Sequence, residues 1–283
     1  MISSRRRLGR GSALGGSAKW LIALFMIVAS VLAYCSSSSI NDITGEKQYV
    51  SLSVEQEIAL GLQSAPQMAA EFGGPDANPQ DQGEVKQVGQ KILTSTEAGQ
   101  TPYKFSFTLL ADDQTINAFA LPGGPVFITS ALYDRLQTEG QLAGVLGHEI
   151  GHVVARHSAE HIAKQKLTQG IAGAAVIAAY DPEHPNSSQQ AAAVTAMIGQ
   201  VINMKYGRED ELESDRLGVR FMADAGYDPR SMIDVMKILA ESSEGPRPPE
   251  FFSTHPNPEN RIAAIETAID AEFPNGVPDG LIK

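Results

Sequence analysis

Two histidines four residues apart, His148 and His152, sit in the run His148-Glu149-Ile150-Gly151-His152. On a helix that spacing puts both side chains on one face, with Cβ atoms roughly 5–6 Å apart. Imidazoles so placed can bind one zinc ion at about 2.0–2.1 Å. Glu149 points aside from that face and cannot be a third ligand from the same turn. It suits a general base, taking a proton from metal-activated water. Five-residue matches also arise by chance, so context carries the reading. Thr138-Glu139-Gly140-Gln141 has the form of a helix-starting capping box, and Leu142, Val145, Leu146, Ile150, Val153 and Val154 give the helix a broad apolar surface. Two histidines and a carboxylate on a buried helix need a chemical reason.

A third ligand has to come from elsewhere. At about 100° per residue, His157 and His161 fall well off the face shared by His148 and His152, and they read as outer-face helix residues. Further along, Leu212, Val219 and Met222 mark a second helix on which Glu211 and Asp215 form an i, i+4 pair. A carboxylate-rich helix start is favourable on its own account. A His-His-Glu zinc site, however, takes one carboxylate from a second helix, and a ligand histidine usually donates its other N–H to a carboxylate. Glu211 as ligand and Asp215 as the histidine's partner would supply both.

The elements around these residues are legible from periodicity and breakers. Ser53-Val54-Glu55-Gln56 opens an amphipathic helix to about Ala70, stopped by Gly73-Gly74-Pro75, and a second helix spans roughly Gln82 to Thr94. Tyr103 to Leu110 alternates like a strand. Asn117 to Thr129 reads as a hairpin around Pro122-Gly123-Gly124-Pro125, whose prolines favour an edge strand. Such an edge before the zinc helix suits an extended peptide added as a strand; a hairpin that merely caps the core fits equally well. Leu167 to Tyr180 and Gln189 to Met204 are apolar and rich in Ala and Gly, read as close-packed core helices in preference to a membrane hairpin. His184, between them, reads as a surface histidine.

The chain has 283 residues, 42% of them hydrophobic, and a net charge of −11. Such a balance argues against nucleic acid and against an anionic membrane surface as partner. The first nineteen residues hold Arg5, Arg6, Arg7, Arg10 and Lys19 with no acid, so removing them takes −11 to −16. Trp20 to Tyr34 is an apolar run with Ser30 its one small polar residue, laid out like a secretory signal and short for a membrane span. Ser4-Arg5-Arg6-Arg7-Leu8 partly fits a twin-arginine signal. Cys35, the sole cysteine, follows Val31-Leu32-Ala33-Tyr34 as in a bacterial lipoprotein cleavage site, except that Tyr34 stands where a small residue is expected. A lipoprotein, a cleaved soluble protein and an uncleaved anchor stay open. One cysteine allows no internal disulfide. The expected division is 1–35 as signal or anchor, 36–50 as a polar linker and 51–283 as one catalytic domain.

With these motifs in order, the chain resembles the zinc metallopeptidase family of HtpX, the CAAX prenyl protease and BepA. The family pairs His-Glu-x-x-His with a downstream Glu-x-x-x-Asp, matched by Glu211-Leu212-Glu213-Ser214-Asp215. Asn117 to Gly124 matches too, as does Thr254-His255-Pro256-Asn257-Pro258-Glu259-Asn260-Arg261. Similarity runs from about Ser53 to Ala271. Gly207 and Ser214 replace the more usual Ser and Ala of the ligand helix. The chain ends soon after Phe273, without BepA's repeat domain or HtpX's clear spans, and so resembles the short periplasmic or lipoprotein members.

The resemblance implies a mainly helical α+β zincin of the gluzincin type, with a small sheet beside the zinc helix. It implies one Zn2+ per chain on His148, His152 and Glu211, with Glu149, Asp215, His255 and Arg261 in the catalytic machinery. His255 would be either a fourth ligand at rest or an oxyanion contact, with Arg261 nearby. The implied reaction is peptide-bond hydrolysis in unfolded or misassembled envelope proteins. Partners would be protein or peptide substrates, and the membrane through an N-terminal lipid or anchor, in the bacterial periplasm. The alternatives are a chaperone-like assembly factor with a largely latent site and an anchor protein with a structural zinc.

Overall fold

Helices dominate the chain, and a small mixed sheet lies beside the helix that carries His148 and His152. The structure, a computed structural model, describes residues 16–179, 205–243, 249–256 and 260–283. Helix α1 (Gly16–Ser36) leads into a hairpin of β1 (Ser38–Ile40) and β2 (Lys47–Tyr49). Then come α2 (Val54–Glu71), α3 (Pro79–Ser95), β3 (Ser106–Leu110), β4 (Ala118–Ala120), β5 (Pro125–Thr129) and the single turn α4 (Ser130–Tyr133). The histidine helix is α5 (Glu139–Val154), and α6 (His157–Ala179) leaves it directly. Arg208–Asp224 forms α7, Arg230–Ser243 α8, Phe251–Thr254 α9 and Arg261–Glu272 α10.

Local chemistry accounts for the helix starts. Ser53 caps α2 through a capping box with Gln56. Thr138 Oγ1 accepts from Gln141 N at the head of α5. The α+β, mainly helical expectation holds. In the three-stranded sheet β5 is central, parallel to β3 and antiparallel to β4. Both β3 and β4 are therefore edges. The outer side of β3 is met by Pro75 and the Gln82 side chain, which leaves β4, itself buried, as the freer edge. Pro125 opens the central strand, a position where its missing N–H does least harm.

The core gathers Ile92, Leu109, Ile128, Leu142, Leu146, Ile150, Phe221 and Ile265 around α5, all buried. Fully burying one such side chain stabilises the fold by about 1.5–3 kcal/mol. Every residue of α5 from Gly140 to Val154 is buried. The metal-helix candidate is the central strut of the domain.

Two expectations change. Residues 36–50, expected as a linker, carry the β1–β2 hairpin. Its Asn41 Nδ2 donates to Val154 O at 2.8 Å and its Gln48 Nε2 to Ala155 O at 3.1 Å. Those carbonyls end a helix and have no partner within it, so the hairpin completes α5. The apolar run that looked short for a span lies in a 21-residue helix, of which Ala18–Ser36 is long and apolar enough to cross a membrane. Gln189 to Met204 and His184 lie outside the described residues, as does the Asn257–Glu259 part of the His-Pro segment.

Candidate metal centre

Small residues let α5 and α7 approach closely enough to share a site. A Cβ on Gly151 would come within 2.6 Å of Ser214 Oγ and 3.0 Å of its carbonyl oxygen. Ser214 in turn donates its hydroxyl to the carbonyl of His148. That hydroxyl ties the two helices together. Glu211 and Asp215, flanking Ser214, thereby face both histidines.

Four donor atoms converge. His148 Nε2 lies 3.0 Å from His152 Nε2 and 3.4 Å from His255 Nδ1. Glu211 Oε1 lies 3.0 Å from His255 Nδ1 and 3.4 Å from His152 Nε2. All four residues are buried, and their ligand atoms lie within 4.8 Å of one another. Ligands held tetrahedrally at about 2.0–2.1 Å are separated by roughly 3.3 Å. The spacing fits one small metal ion.

Proton placement makes the same point. Asp215 Oδ1 sits 2.8 Å from His148 Nδ1; a carboxylate only accepts, so Nδ1 carries a hydrogen and Nε2 is the nitrogen left to face a metal. His152 is set by a longer relay. Glu213 Oε2 faces His157 Nε2 at 3.2 Å, so that nitrogen donates. His157 Nδ1 then accepts from His152 Nδ1 at 2.9 Å. The two Nε2 atoms therefore face each other, His152 as acceptor and His148 through the proton that a metal between them would displace. Both buried Glu149 oxygens and His255 Nε2 lack hydrogen-bond partners.

Electrostatics follow from burial and these contacts. Burial opposes charge on His148, but its bonds to Asp215 and Glu211 outweigh that and push it up to about 9. Burial drives His152 well below the usual histidine range. Burial also raises Glu149, only partly offset by His255 and His148. Glu211 goes the other way: despite burial, His255, His148 and His152 hold it ionised, far below an ordinary carboxylate. Asp215 is kept ionised against burial chiefly by Arg261.

Each residue named from sequence has a place here. Glu149 is fully buried beside the cluster, 3.6 Å from His255 Nε2. His255 sits between Glu149 and Glu211, its ring stacked on Phe251 at 4.4 Å. Arg261, expected near an oxyanion, is fully buried behind the ligands instead. Its Nε meets Asp215 Oδ2 at 2.7 Å and its Nη1 lies 3.0 Å from Glu211 Oε2. The guanidinium clamps two carboxylates and does not line a substrate path.

Two histidines are reassigned. His157 is not an outer-face residue: it is 1% exposed and anchors His152. Arg156, with φ of 62°, turns the chain sharply between α5 and α6 and folds His157 back onto the site. His161 is partly exposed and bonds Asp210 Oδ2 at 2.7 Å, joining α6 to the first turn of α7. Tyr206 escaped sequence reasoning altogether; its ring stacks on His152 at 3.9 Å, and its hydroxyl pairs with Ser158. Beside the cluster a cavity of about 70 Å³ is lined by His255, Tyr206, Phe72 and the β4 residues Phe119 and Ala120. The freer edge strand and the candidate site thus border one cavity.

The sequence pattern of peptidase family M48 matches residues 79–269. The beta-barrel assembly-enhancing protease of Escherichia coli K12 is 30% identical over 255 residues, covering 86% of this chain and 50% of that protein. Its Yersinia pestis counterpart is 32% identical over 226 residues, 77% of this chain and 45% of that one. The mitochondrial metalloendopeptidase OMA1 of Arabidopsis thaliana is 31% identical over 160 residues, 56% of this chain and 31% of that one. The chain spans about half the length of the assembly-enhancing proteases it matches.

Proposed function

The chain belongs to peptidase family M48, and from that premise we propose that it is a zinc-dependent metalloendopeptidase of the bacterial cell envelope. The observation that carries this reading is the buried convergence of His148, His152 and Glu211 beside an unbonded Glu149. His148, His152 and Glu211 would hold one zinc ion, and the ion supplies a Lewis acid that polarises a carbonyl and acidifies water. The chain's own residues do the rest. Glu149, raised by burial, takes the proton of the attacking water and passes it to the leaving amine. Asp215 and Arg261 hold His148 and Glu211 in place without touching substrate. The edge strand β4 binds the substrate backbone by strand addition.

His255 is the resting gate. A catalytic zinc needs one coordination position free, and His255, whose Nδ1 lies with the donor atoms of His148, His152 and Glu211, would take that position at rest. Substrates are unfolded or misassembled envelope proteins, a reading supported by the names of the assembly-enhancing relatives. Attachment is through the N-terminal segment, as a helix or through a lipid on Cys35. The structural-zinc reading is not carried forward, because Glu149 is intact and a purely structural metal needs no base; the chaperone-like reading is not favoured, since the relatives are named as proteases and metalloendopeptidases. Metal analysis of the purified chain tests the ligand set: about one zinc per wild-type chain and little in Glu211→Ala. Full zinc in that variant refutes it.

A further inference from the structure

We propose that α1 is retained in the working protein, crosses the lipid bilayer, and is joined there by the apolar half of α6. The two helices lie side by side and antiparallel. Gly170 sits against Ser30, where a Cβ would overlap the serine side chain. Further along, Ala33 and Tyr34 of α1 and the next-following Ser37 border the same cleft as the earlier α6 residues Ala163, Lys166 and Leu167.

The end of α1 is built into the folded domain. Tyr34 stacks on Tyr49 of β2, centroids 4.8 Å apart and planes 14° from parallel. Tyr49 N in turn donates to Glu160 Oε1 on α6 at 2.7 Å. Tyr34 is also the residue that spoils the small-residue pattern before Cys35. One side chain therefore disfavours removal of the leader and holds it in the fold.

The rest of α1 faces outward. Trp20, Leu21, Leu24, Phe25 and Leu32 are each more than half exposed, a surface too apolar for water and not covered by α6. The occupant that fits is lipid. The 19-residue segment Ala18–Ser36 rises about 28 Å, against a hydrocarbon core of about 30 Å. Basic residues precede it, as they do on the cytoplasmic side of a span. Helix α6 carries no charge from Leu167 to Ala179, about 20 Å of rise beside α1. Lys164 and Lys166, both exposed, mark its emergence into the headgroups.

This arrangement fixes the height of the site. Nine residue steps from His157 to Lys166 amount to about 14 Å, so the cluster on α5 stands close above the membrane, opposite the basic side. That last consequence for substrate access rests on the peptidase reading; the anchor does not.

The test uses the full chain with its own leader, purified from a bacterial membrane fraction and placed in phospholipid vesicles. Intact mass should include residues 1–35. Trp20 is the sole tryptophan, and Ile171, 41% exposed on α6, accepts a second probe as Ile171→Trp in a Trp20→Phe background. Lipids brominated along the acyl chain should quench both probes at least twofold. A mass beginning at or after Cys35 overturns the proposal. So does water-like, unquenched emission from the Ile171 probe. Blue-shifted but unquenched emission assigns the face to a second copy of the chain and overturns it equally.

Discussion

Asp215 is gripped from two sides: His148 Nδ1 donates to its Oδ1 at 2.8 Å, and Arg261 Nε donates to its Oδ2 at 2.7 Å. One buried carboxylate thus orients a candidate metal ligand while neutralising the only arginine among the large fully buried side chains of the described residues. Replacing it with asparagine keeps the shape and removes the charge. Asp215→Asn should bind zinc about 10–100-fold more weakly in chelator competition. It should also lose about 3–5 kcal/mol of stability, because Arg261 is left without its main counter-charge. Unchanged zinc affinity would show that His148 is oriented by something else.

Metal binding should release protons. Without metal, His148 is raised to about 9 by Asp215 and Glu211 despite burial, so near neutrality its Nε2 carries a proton that a metal must displace. Glu211 and His152, both lowered, have no proton to lose there. Affinity should therefore fall about tenfold per pH unit as pH drops below about 9, with roughly one proton released per ion. The metal-free fold shows the converse: what the His148 proton contributes is present at pH below about 6.5 and lost as pH rises through about 9. Calorimetry in buffers of different ionisation enthalpy reads the proton count. Zero release between pH 7 and 8 contradicts the assignment.

His255→Ala should leave zinc content unchanged and raise basal cleavage of an unfolded substrate. Its Nδ1 competes for the open position from 3.0 Å off Glu211 and 3.4 Å off His148 Nε2. An oxyanion role predicts the reverse, a loss of about 2.7–4 kcal/mol in transition-state stabilisation. Rates compared at equal zinc occupancy separate the two.

Much of the site was legible because its chemistry is local. His148, Glu149 and His152 lie within five residues, Glu211 and Asp215 within another five, and helix periodicity assigns their faces. The caps at Ser53 and Thr138 are likewise short-range. What escaped was decided by tertiary contact. His157 looks outward by helical rotation only if the helix continues, yet Arg156 breaks it in the left-handed region. Asn41 and Gln48 sit in a polar stretch, and nothing there says they bond carbonyls more than a hundred residues away. The motif set Arg261 near the chemistry, but its contacts with Asp215 and Glu211 depend on how α10 packs behind α7. Tyr34 read as a flaw in a cleavage pattern until its stacking partner, Tyr49, was seen.

The central claim is that Glu149 is the base of a metal site it does not ligate. Glu149→Gln, assayed for both zinc content and cleavage of unfolded casein, tests it most directly. The account predicts about one zinc per chain, an unchanged fold, and at least a hundredfold slower proteolysis, since only proton transfer is removed. Undiminished turnover at full zinc occupancy would contradict it, because another group would then be activating the water.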